Sequence, residues 1–411
     1  MRFLSIVLFL FIANCSKQVE EPGKENNITR KSHLAPFPES IGRKLNRKIF
    51  ETLSKANIDS QFARIAPGVF EMGSPKDEIG RDKDEYRHKV EITEPYFMAK
   101  FETTIEEWNS VNNVIKRWGK LNIPINIRTI ISVIIEYGQK SFLKKLPKFL
   151  NQRLRSMAAN KNIDCLADFG AVSSLFQAWK KAPLEFKNKV ATEFGKKTNV
   201  KIDHEYITKE LNDLLSRHRN LPINNISYTQ AVAYCHAKTQ MAQKAEMLPT
   251  GMVFRLPTEA EWEYACRAGM VGSSGLGNGL ELNGLNANLD GSESGFVIGK
   301  VSTLINRKKL IPVSQKYTQF PPNQWGLYDM HGSVMEWCYD FYGEYFDKKF
   351  DPSIDKRVNP MGTFMGTKRV LRGGSFLRTA YDCRAANREC VDPSWRGSEI
   401  GFRIVLGFPI R

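Results

Sequence analysis

The sequence predicts a mixed fold of short strands, helices and long loops, interrupted by a block of helices. In residues 61–110 and 221–411, short apolar runs alternate with polar residues or stop at Gly and Pro, which is typical of half-buried strands. In residues 111–220, apolar residues recur at helical spacing between Lys and Arg, and glycines are sparse. We therefore predict a domain formed by the two outer stretches and a basic helical insertion at 111–220.

The first residues have the features of an export signal. A basic start precedes a short apolar run at 6–12, which is too short to span a bilayer as a stable helix. Cys15 follows Ala13 and Asn14, an order that resembles a bacterial lipobox. We expect 1–15 to be a lipoprotein signal peptide and Cys15 to carry the lipid. An ordinary cleaved signal with an incidental Cys is the alternative.

The polar residues 16–60 follow this signal and are predicted to form a tether from the membrane. With a lipid on Cys15, the chain would be exported and anchored in the cell envelope, on the periplasmic face or at the cell surface. The membrane would then be its first partner.

The net charge of +16 is concentrated in two parts of the chain. Residues 1–60 carry +4 and residues 111–220 carry +12, whereas the remainder sums to zero. This distribution, without zinc-finger spacing or an RNP-like aromatic motif, predicts no nucleic-acid partner. The basic helices could contact an anionic membrane or an acidic partner. A solvated Lys and Arg surface is the simpler interpretation.

In the first outer stretch, strands are predicted at 62–65, 69–74, 88–92 and 96–102. Thr104 and Glu107 have the spacing of a capping box, which predicts that a helix starts there.

In the second outer stretch, two helices are predicted from their ends. Ser227 is placed to cap a helix that runs through Cys235. Thr258 begins another helix with acids in its first turn, and Gly269 ends it. Residues 270–320 are rich in Gly, Asn and Ser, which predicts long irregular loops.

Cys383 stands out near the C-terminus because several Arg residues surround it in the sequence. Neighbouring guanidinium groups can lower the pKa of a thiol, so Cys383 is a candidate nucleophile or metal ligand. Export also permits disulfides. Cys338 with Cys383, and Cys266 with Cys390, are the pairs we consider, although sequence alone does not choose among the possible pairings.

Four runs along the chain resemble the formylglycine-generating enzyme family, also called the sulfatase-modifying factors. They are GVFEMGS at 68–74, RLPTEAEWE at 255–263, PNQWGLYDMHGSVMEWC at 322–338, and the Gly-Gly-Ser stretch at 369–388. The resemblance covers about 61–110 and 221–411. It implies an α+β fold, a loop-rich variant of the C-type lectin fold, with 111–220 inserted in a family loop.

The resemblance also implies a catalytic stretch. In the family's working enzymes, two Cys residues hold Cu(I), and O2 oxidises a Cys of a sulfatase peptide to formylglycine. Here Ser375 and Cys383 match that stretch, but Arg378 stands at the first copper Cys, and Met335 replaces a usual Trp. Because Cu(I) prefers a pair of soft thiolates, copper binding is not favoured. We expect a non-catalytic member that binds a protein or peptide, with an oxidase using Cys383 as the alternative.

Finally, the resemblance implies structural Ca2+. The four matching ligands are the side chains of Asp329 and Glu336 and the carbonyl oxygens of Gly332 and Val334. Hard oxygens along one tight loop suit Ca2+, although both acids could instead cap local turns. A second family site would use Asn288, but its remaining acid is not evident near residues 293–294.

Several other conspicuous residues have structural interpretations. We expect His331 to be a hydrogen-bonded loop residue rather than a metal ligand. Three Trp side chains are assigned to the core: Trp262, Trp325 and Trp337. Four Arg side chains are expected to hold Asp and Glu carboxylates: Arg372, Arg384, Arg388 and Arg403.

Overall fold

The computed structural model describes residues 58–111, 120–122, 125–137, 166–291, 305, 307–345 and 356–410. The predicted signal peptide with Cys15, and almost all of the predicted tether, lie outside these ranges, as does Cys165. The predictions for these residues therefore stay predictions.

Both helices and strands form in the described residues. The helices are α1 Ile58–Gln61, α2 Ile105–Val111, α3 Ile125–Tyr137, α4 Phe169–Lys180, α5 Leu184–Thr198, α6 His204–Arg219, α7 Tyr228–Lys244 and α8 Glu259–Arg267. The strands are β1 Phe62–Ile65, β2 Gly68–Met72, β3 His88–Ile92, β4 Tyr96–Ala99, β5 Lys120–Asn122, β6 Leu166–Asp168, β7 Val253–Arg255, β8 Met335–Phe341, β9 Lys356–Val358, β10 Arg369–Arg372, β11 Glu389–Val391, β12 Ile400–Gly401 and β13 Val405–Gly407.

The strands form small sheets that join distant parts of the chain. One sheet has the order β1-β4-β13-β7, so the C-terminal strand lies between strands from both outer stretches. A second has the order β11-β10-β8-β12, in which β10 is antiparallel and β12 parallel to β8. The third and fourth sheets are β2-β3-β9 and β5-β6. The first two sheets place the C-terminal sequence motifs in the centre of the domain.

Three predicted helix starts are confirmed as capping boxes. Thr104 accepts from the backbone of Glu107 while the Glu107 carboxylate accepts in return. Reciprocal pairs of the same kind start α7 at Ser227 and α8 at Thr258. Each box satisfies two backbone N–H groups that have no partner within the helix. The predicted strand at 96–102 is wrong at its end, because β4 stops at Ala99 and Glu102 turns into the protein interior.

The core contains the large aromatic residues of the motifs. Trp262 and Trp337 are fully buried, as predicted, and Trp325 packs against the core while remaining half-buried. The helices α3–α6 of the 111–220 block pack around a hydrophobic cluster of their own, which includes Trp179. No helix among the described residues is long and apolar enough to cross a membrane.

Candidate functional site

The turn after β10 lies against the loop before β8. The Gly332 N–H donates to the Gly373 carbonyl at 2.7 Å, and the Phe376 N–H donates to the Ser333 carbonyl at 2.9 Å. Gly374 has a positive φ of 66°, and a Cβ there would lie 2.5 Å from the Sγ atom of Cys383. Only Gly fits such a position. The two predicted sites, catalytic stretch and calcium loop, are therefore neighbours.

Ser375 and Arg378 share one acidic partner, Glu399. The Ser375 hydroxyl donates to Glu399 Oε2 at 2.6 Å. The Arg378 guanidinium contacts the same carboxylate at 3.4 and 3.5 Å, and its side chain is 38% exposed. Sequence reasoning missed Glu399, which lies 21 residues after Arg378 and outside the four motifs. Arg378, which the resemblance places at the first copper Cys, is therefore the cation of an ion pair.

Cys383 is buried, and its Sγ atom lies 3.8 Å from the Ser375 carbonyl oxygen. Burial raises the pKa of the Cys383 thiol, and the Asp382 carboxylate raises it further. The prediction of a lowered thiol pKa is therefore wrong. The physical reason is that the adjacent Arg384 extends away to Glu78 and Glu85 instead of stabilising a thiolate. A buried neutral thiol is a poor nucleophile and a poor ligand.

The five cysteines in the described ranges are all free. The pairs that we considered, Cys338 with Cys383 and Cys266 with Cys390, are therefore wrong. Cys338 is part of the main core, whereas Cys383 packs in a separate small cluster with Leu289. The two thiols of that first pair therefore belong to different hydrophobic clusters.

His331 is a hydrogen-bonded loop residue, as predicted. Its Nε2 atom accepts from the Gly275 N–H at 3.0 Å, so the proton is on Nδ1. Nδ1 donates to the Cys383 carbonyl oxygen, and these two atoms are 2.7 Å apart. Burial lowers the pKa of His331 to about 4, which keeps the ring neutral at pH 7.

The prediction that four Arg residues hold carboxylates is confirmed. The pairs are Arg372 with Glu263 and Glu259, Arg384 with Glu78 and Glu85, Arg388 with Glu259 and Asp84, and Arg403 with Glu336 and Glu102. Most of these acids are far from their partners in sequence, so their identities could not be predicted. The pairs of Arg384 and Arg388 with Glu78, Glu85 and Asp84 join the Gly-Gly-Ser stretch to a loop of the first outer stretch.

One of these pairs predicts a pH effect. Burial raises the pKa of the Glu85 carboxyl, but hydrogen bonds from Arg384 outweigh this and the pKa is lowered from 4.5. A depressed folded-state pKa stabilises the fold above the unfolded value and ceases to do so as pH falls through the folded one. We therefore expect Glu85→Gln to reduce the free energy of unfolding by about 2–3 kcal/mol at pH 7, and by less below pH ~4. Urea unfolding of both proteins at pH 7 and at pH ~3.5 measures this difference, and a constant difference would contradict the assignment.

In the predicted calcium loop, Glu336 is already engaged. Its oxygens accept from Arg403 Nε at 2.8 and 2.9 Å and from Trp262 Nε1 at 2.7 Å. A cation at Glu336 would have to compete with Arg403. The loop itself is tightly turned, with positive φ at Asp329, Gly332 and Ser333.

Other oxygens near this loop are buried without hydrogen-bond partners. They are both carboxylate oxygens of Glu102, Oδ2 of Asp329, Oδ1 of Asn288 and Oγ of Ser333. Asn288 forms a backbone bridge with Gly332, which brings the two predicted ligand segments together. Glu102 also lines a cavity of about 400 Å³, so this region can be reached from solvent. Buried polar atoms without partners require an explanation such as an ion or water.

Electrostatics gives the same indication. Burial raises the pKa of Asp329 to about 6. The Arg403 charge opposes this rise, and the Glu336 charge adds to it. Burial and then the Asp329 charge raise the pKa of Glu102 well above its usual range. Three buried acids thus share one guanidinium.

No group of three or more His, Cys, Asp or Glu residues within the described ranges is arranged to hold a metal ion. A cation here would need amide and carbonyl oxygens as well, which the Asn288 and Gly332 segments can supply.

Comparison with known proteins identifies the family. The model of the FGE-sulfatase family, described as the sulfatase-modifying factor enzyme 1-like domain, matches residues 49–407. The chain is 36% identical over 149 residues to serine/threonine-protein kinase pkn1 of Chlamydia pneumoniae, covering 36% of this chain and 20% of that protein. It is 33% identical over 188 residues to the formylglycine-generating enzyme of Mus musculus, covering 45% and 44%.

A third relative has a different name. The inactive C-alpha-formylglycine-generating enzyme 2 of Mus musculus is 31% identical over 196 residues, covering 44% of this chain and 48% of that protein. The chain spans less than half the length of each of these three relatives. Because the family match covers most of the chain, and the structure combines helices and sheets as predicted, the fold is the α+β fold of this family. The chain belongs to the FGE-sulfatase family, the sulfatase-modifying factors.

Proposed function

We propose that this protein is a lipid-anchored, exported member of the family whose domain binds a protein or peptide and does not form formylglycine. The observation that carries the proposal is the ion pair of Arg378 with Glu399, at the position where the resemblance requires a copper Cys. A fixed cation at that position opposes metal binding and supplies no thiolate.

The neighbouring residues support the same proposal. Cu(I) prefers two soft thiolates, and Cys383 is buried with a raised pKa. The Ser375 hydroxyl is committed to Glu399. The Ser375 and Arg378 side chains are thus both engaged with Glu399. The name of one relative, the inactive C-alpha-formylglycine-generating enzyme 2 of Mus musculus, is consistent with loss of activity inside this family.

The alternative function is an oxidase that uses Cys383 to convert a protein Cys to formylglycine. Its support is the retained position of Cys383 beside the Ser375 carbonyl. Titration of the full chain with Cu(I), together with turnover of a Cys peptide under O2, separates the two functions. We expect no tight copper binding and no turnover, and turnover with bound copper would refute the non-catalytic function.

The anchor proposal rests on the N-terminal sequence. The apolar run at 6–12 and the Cys at 15 favour lipidation and a position on the cell envelope. The membrane is then a partner through the lipid, and the folded domain is free to meet a protein or peptide partner.

We also propose that a Ca2+ ion stabilises the loop between Asp329 and Glu336. The support is the set of buried oxygens without partners, on Asp329, Asn288 and Glu102. A divalent cation would offset the excess negative charge that these acids share with one Arg403. The backbone carbonyls of Gly332 and Val334 would complete the ligands.

Calcium removal is therefore expected to destabilise the protein. Ca2+ at about 100 times its dissociation constant adds about 2.7 kcal/mol to the free energy of unfolding, and excess EGTA removes this increment. Thermal unfolding with Ca2+ or with EGTA measures the effect. Asp329→Asn should respond weakly, and Glu94→Gln, at an exposed position, should respond like the natural protein. An unchanged melting temperature of the natural protein in EGTA would argue against the ion.

A further inference from the structure

A second cavity lies at the opposite end of β8 and β10 from Ser375. The antiparallel register pairs Arg372 with Glu336 at one end and Arg369 with Phe341 at the other. Ser375 follows Arg372, whereas the cavity is lined by Phe341 and Arg369. Its volume is about 520 Å³, within the range of cavities that hold small ligands. The cavity is therefore separate from the family site.

Much of the cavity wall is aromatic or apolar. Its apolar and aromatic residues include Met72, Tyr339, Phe341, Tyr345, Met361 and Phe364. Phe364 is 95% exposed, although its segment is anchored by backbone bridges from Phe341 to Gly362 and Thr363. An anchored segment that holds a large apolar side chain in water offers a preformed contact for an apolar ligand.

The polar wall contains Arg369, a cation that forms no ion pair with the described acids. Arg388 is paired with Glu259 by hydrogen bonds of 2.7 and 2.9 Å. Arg369 makes no ion pair with any described acid, and its Nε atom is buried without a hydrogen-bond partner. Its Nη1 donates to the Tyr339 carbonyl, and the guanidinium lies 3.4 Å from the ring centroid of Phe341. Arg369 is thus held in place by contacts that leave its charge unmatched.

No acid among the described residues of the wall forms an ion pair with Arg369. Asp340 Oδ2 accepts from the Glu259 N–H at 2.7 Å. Burial, followed by the Glu259 charge, raises the pKa of Asp340 well above its usual range, which favours the neutral carboxyl. Arg357 adds a second positive charge to the wall, and Glu344 lies exposed at its edge.

We propose that this cavity binds an organic anion in which a carboxylate is attached to an apolar or aromatic group. Arg369 receives the carboxylate, since a guanidinium binds this group with strong charge-assisted hydrogen bonds. Phe364 and its aromatic neighbours cover the apolar part. A free acid and the C-terminal residue of a peptide share this chemistry.

The test measures binding of two probes to the full chain by calorimetry. The probes are N-acetylphenylalanine and its neutral amide, which differ only in the charge that Arg369 is expected to recognise. We expect the acid to bind at least about 10-fold more tightly than the amide, which corresponds to about 1.4 kcal/mol. A tripeptide that ends in phenylalanine, compared with its C-terminal amide, shows whether a peptide end binds more tightly than the free acid.

Two variants divide the interaction into its parts. Arg369→Gln should reduce the acid-to-amide ratio to about one, because only the charged contact is lost. Phe364→Ala should weaken both probes several-fold and leave their ratio unchanged. Arg396→Gln, at an exposed position outside the cavity lining, is the matched control and should change neither value.

The proposal is overturned if the natural protein binds the acid and the amide equally. It is also overturned if the protein binds neither probe at about 10 mM, a concentration at which only a binding free energy weaker than about −2.7 kcal/mol would be missed. It is also overturned if Arg369→Gln keeps the ratio. If Arg369→Gln does not fold, the probe comparison and Phe364→Ala decide the question, since Phe364 is too exposed to support the fold.

Discussion

Replacing Glu263 with Ala is expected to lower the free energy of unfolding by about 3–5 kcal/mol, the range found when one member of a buried ion pair is removed. Glu263 is fully buried and accepts hydrogen bonds from three different segments. Its Oε1 accepts from the Gly73 N–H and from Arg267 Nε, each at 2.8 Å. Its Oε2 accepts from Arg372.

The size of this effect follows from what the substitution leaves behind. Arg267 and Arg372 would keep their charges in the interior without the shared carboxylate. Arg372 would retain contacts with backbone carbonyls and, at 3.6 Å, with Glu259. These contacts do not neutralise two guanidinium groups. The loop at Gly73, helix α8 and strand β10 would also lose their common attachment.

Urea unfolding of the variant and of two comparison proteins measures the loss. Glu263→Gln keeps the shape of the side chain and some of its hydrogen bonds. We therefore expect its free energy of unfolding to lie between those of the Ala variant and the natural protein. Glu106→Ala, at an exposed helix position, should change the free energy by less than about 0.5 kcal/mol. A loss below about 1 kcal/mol for Glu263→Ala would show that the ion pair does not hold these segments together.

Local sequence patterns predicted local structure well. The capping boxes at Thr104, Ser227 and Thr258 are confirmed because each needs only residues three apart. The burial of Trp262 and Trp337 was also predicted, and both lie in the runs that resemble the family.

Ion pairs between residues far apart in the sequence could not be predicted from such local patterns. The role of Arg384 was predicted, but its partner Glu85 is 299 residues away in sequence. The same distance explains the wrong prediction for Cys383. Arg residues that adjoin it in sequence direct their charge to remote acids, so burial decides the pKa of the thiol.

The second large effect is expected for copper: the substitution Arg378→Cys should create a binding site for Cu(I). The Arg378 N–H donates to the Ser375 carbonyl at 3.0 Å, and the Cys383 Sγ lies 3.8 Å from the same oxygen. A Cys at 378 would therefore add a second thiol to the turn whose Ser375 carbonyl contacts Cys383, and it would remove the opposing charge. Two thiolates suit Cu(I), so we expect affinity to rise by at least about 100-fold, or about 2.7 kcal/mol.

Two further variants isolate the cause of that gain. Arg378→Ser removes the charge without adding sulfur, and Arg378→Cys combined with Cys383→Ser keeps a single thiol. Neither should bind Cu(I) in competition with a chromophoric chelator, whereas Arg378→Cys should. If the natural protein binds as tightly as Arg378→Cys, Arg378 does not block the metal, and the non-catalytic function loses its main support. If only Arg378→Cys binds, the absence of a thiol at position 378 is what prevents copper binding by the natural protein.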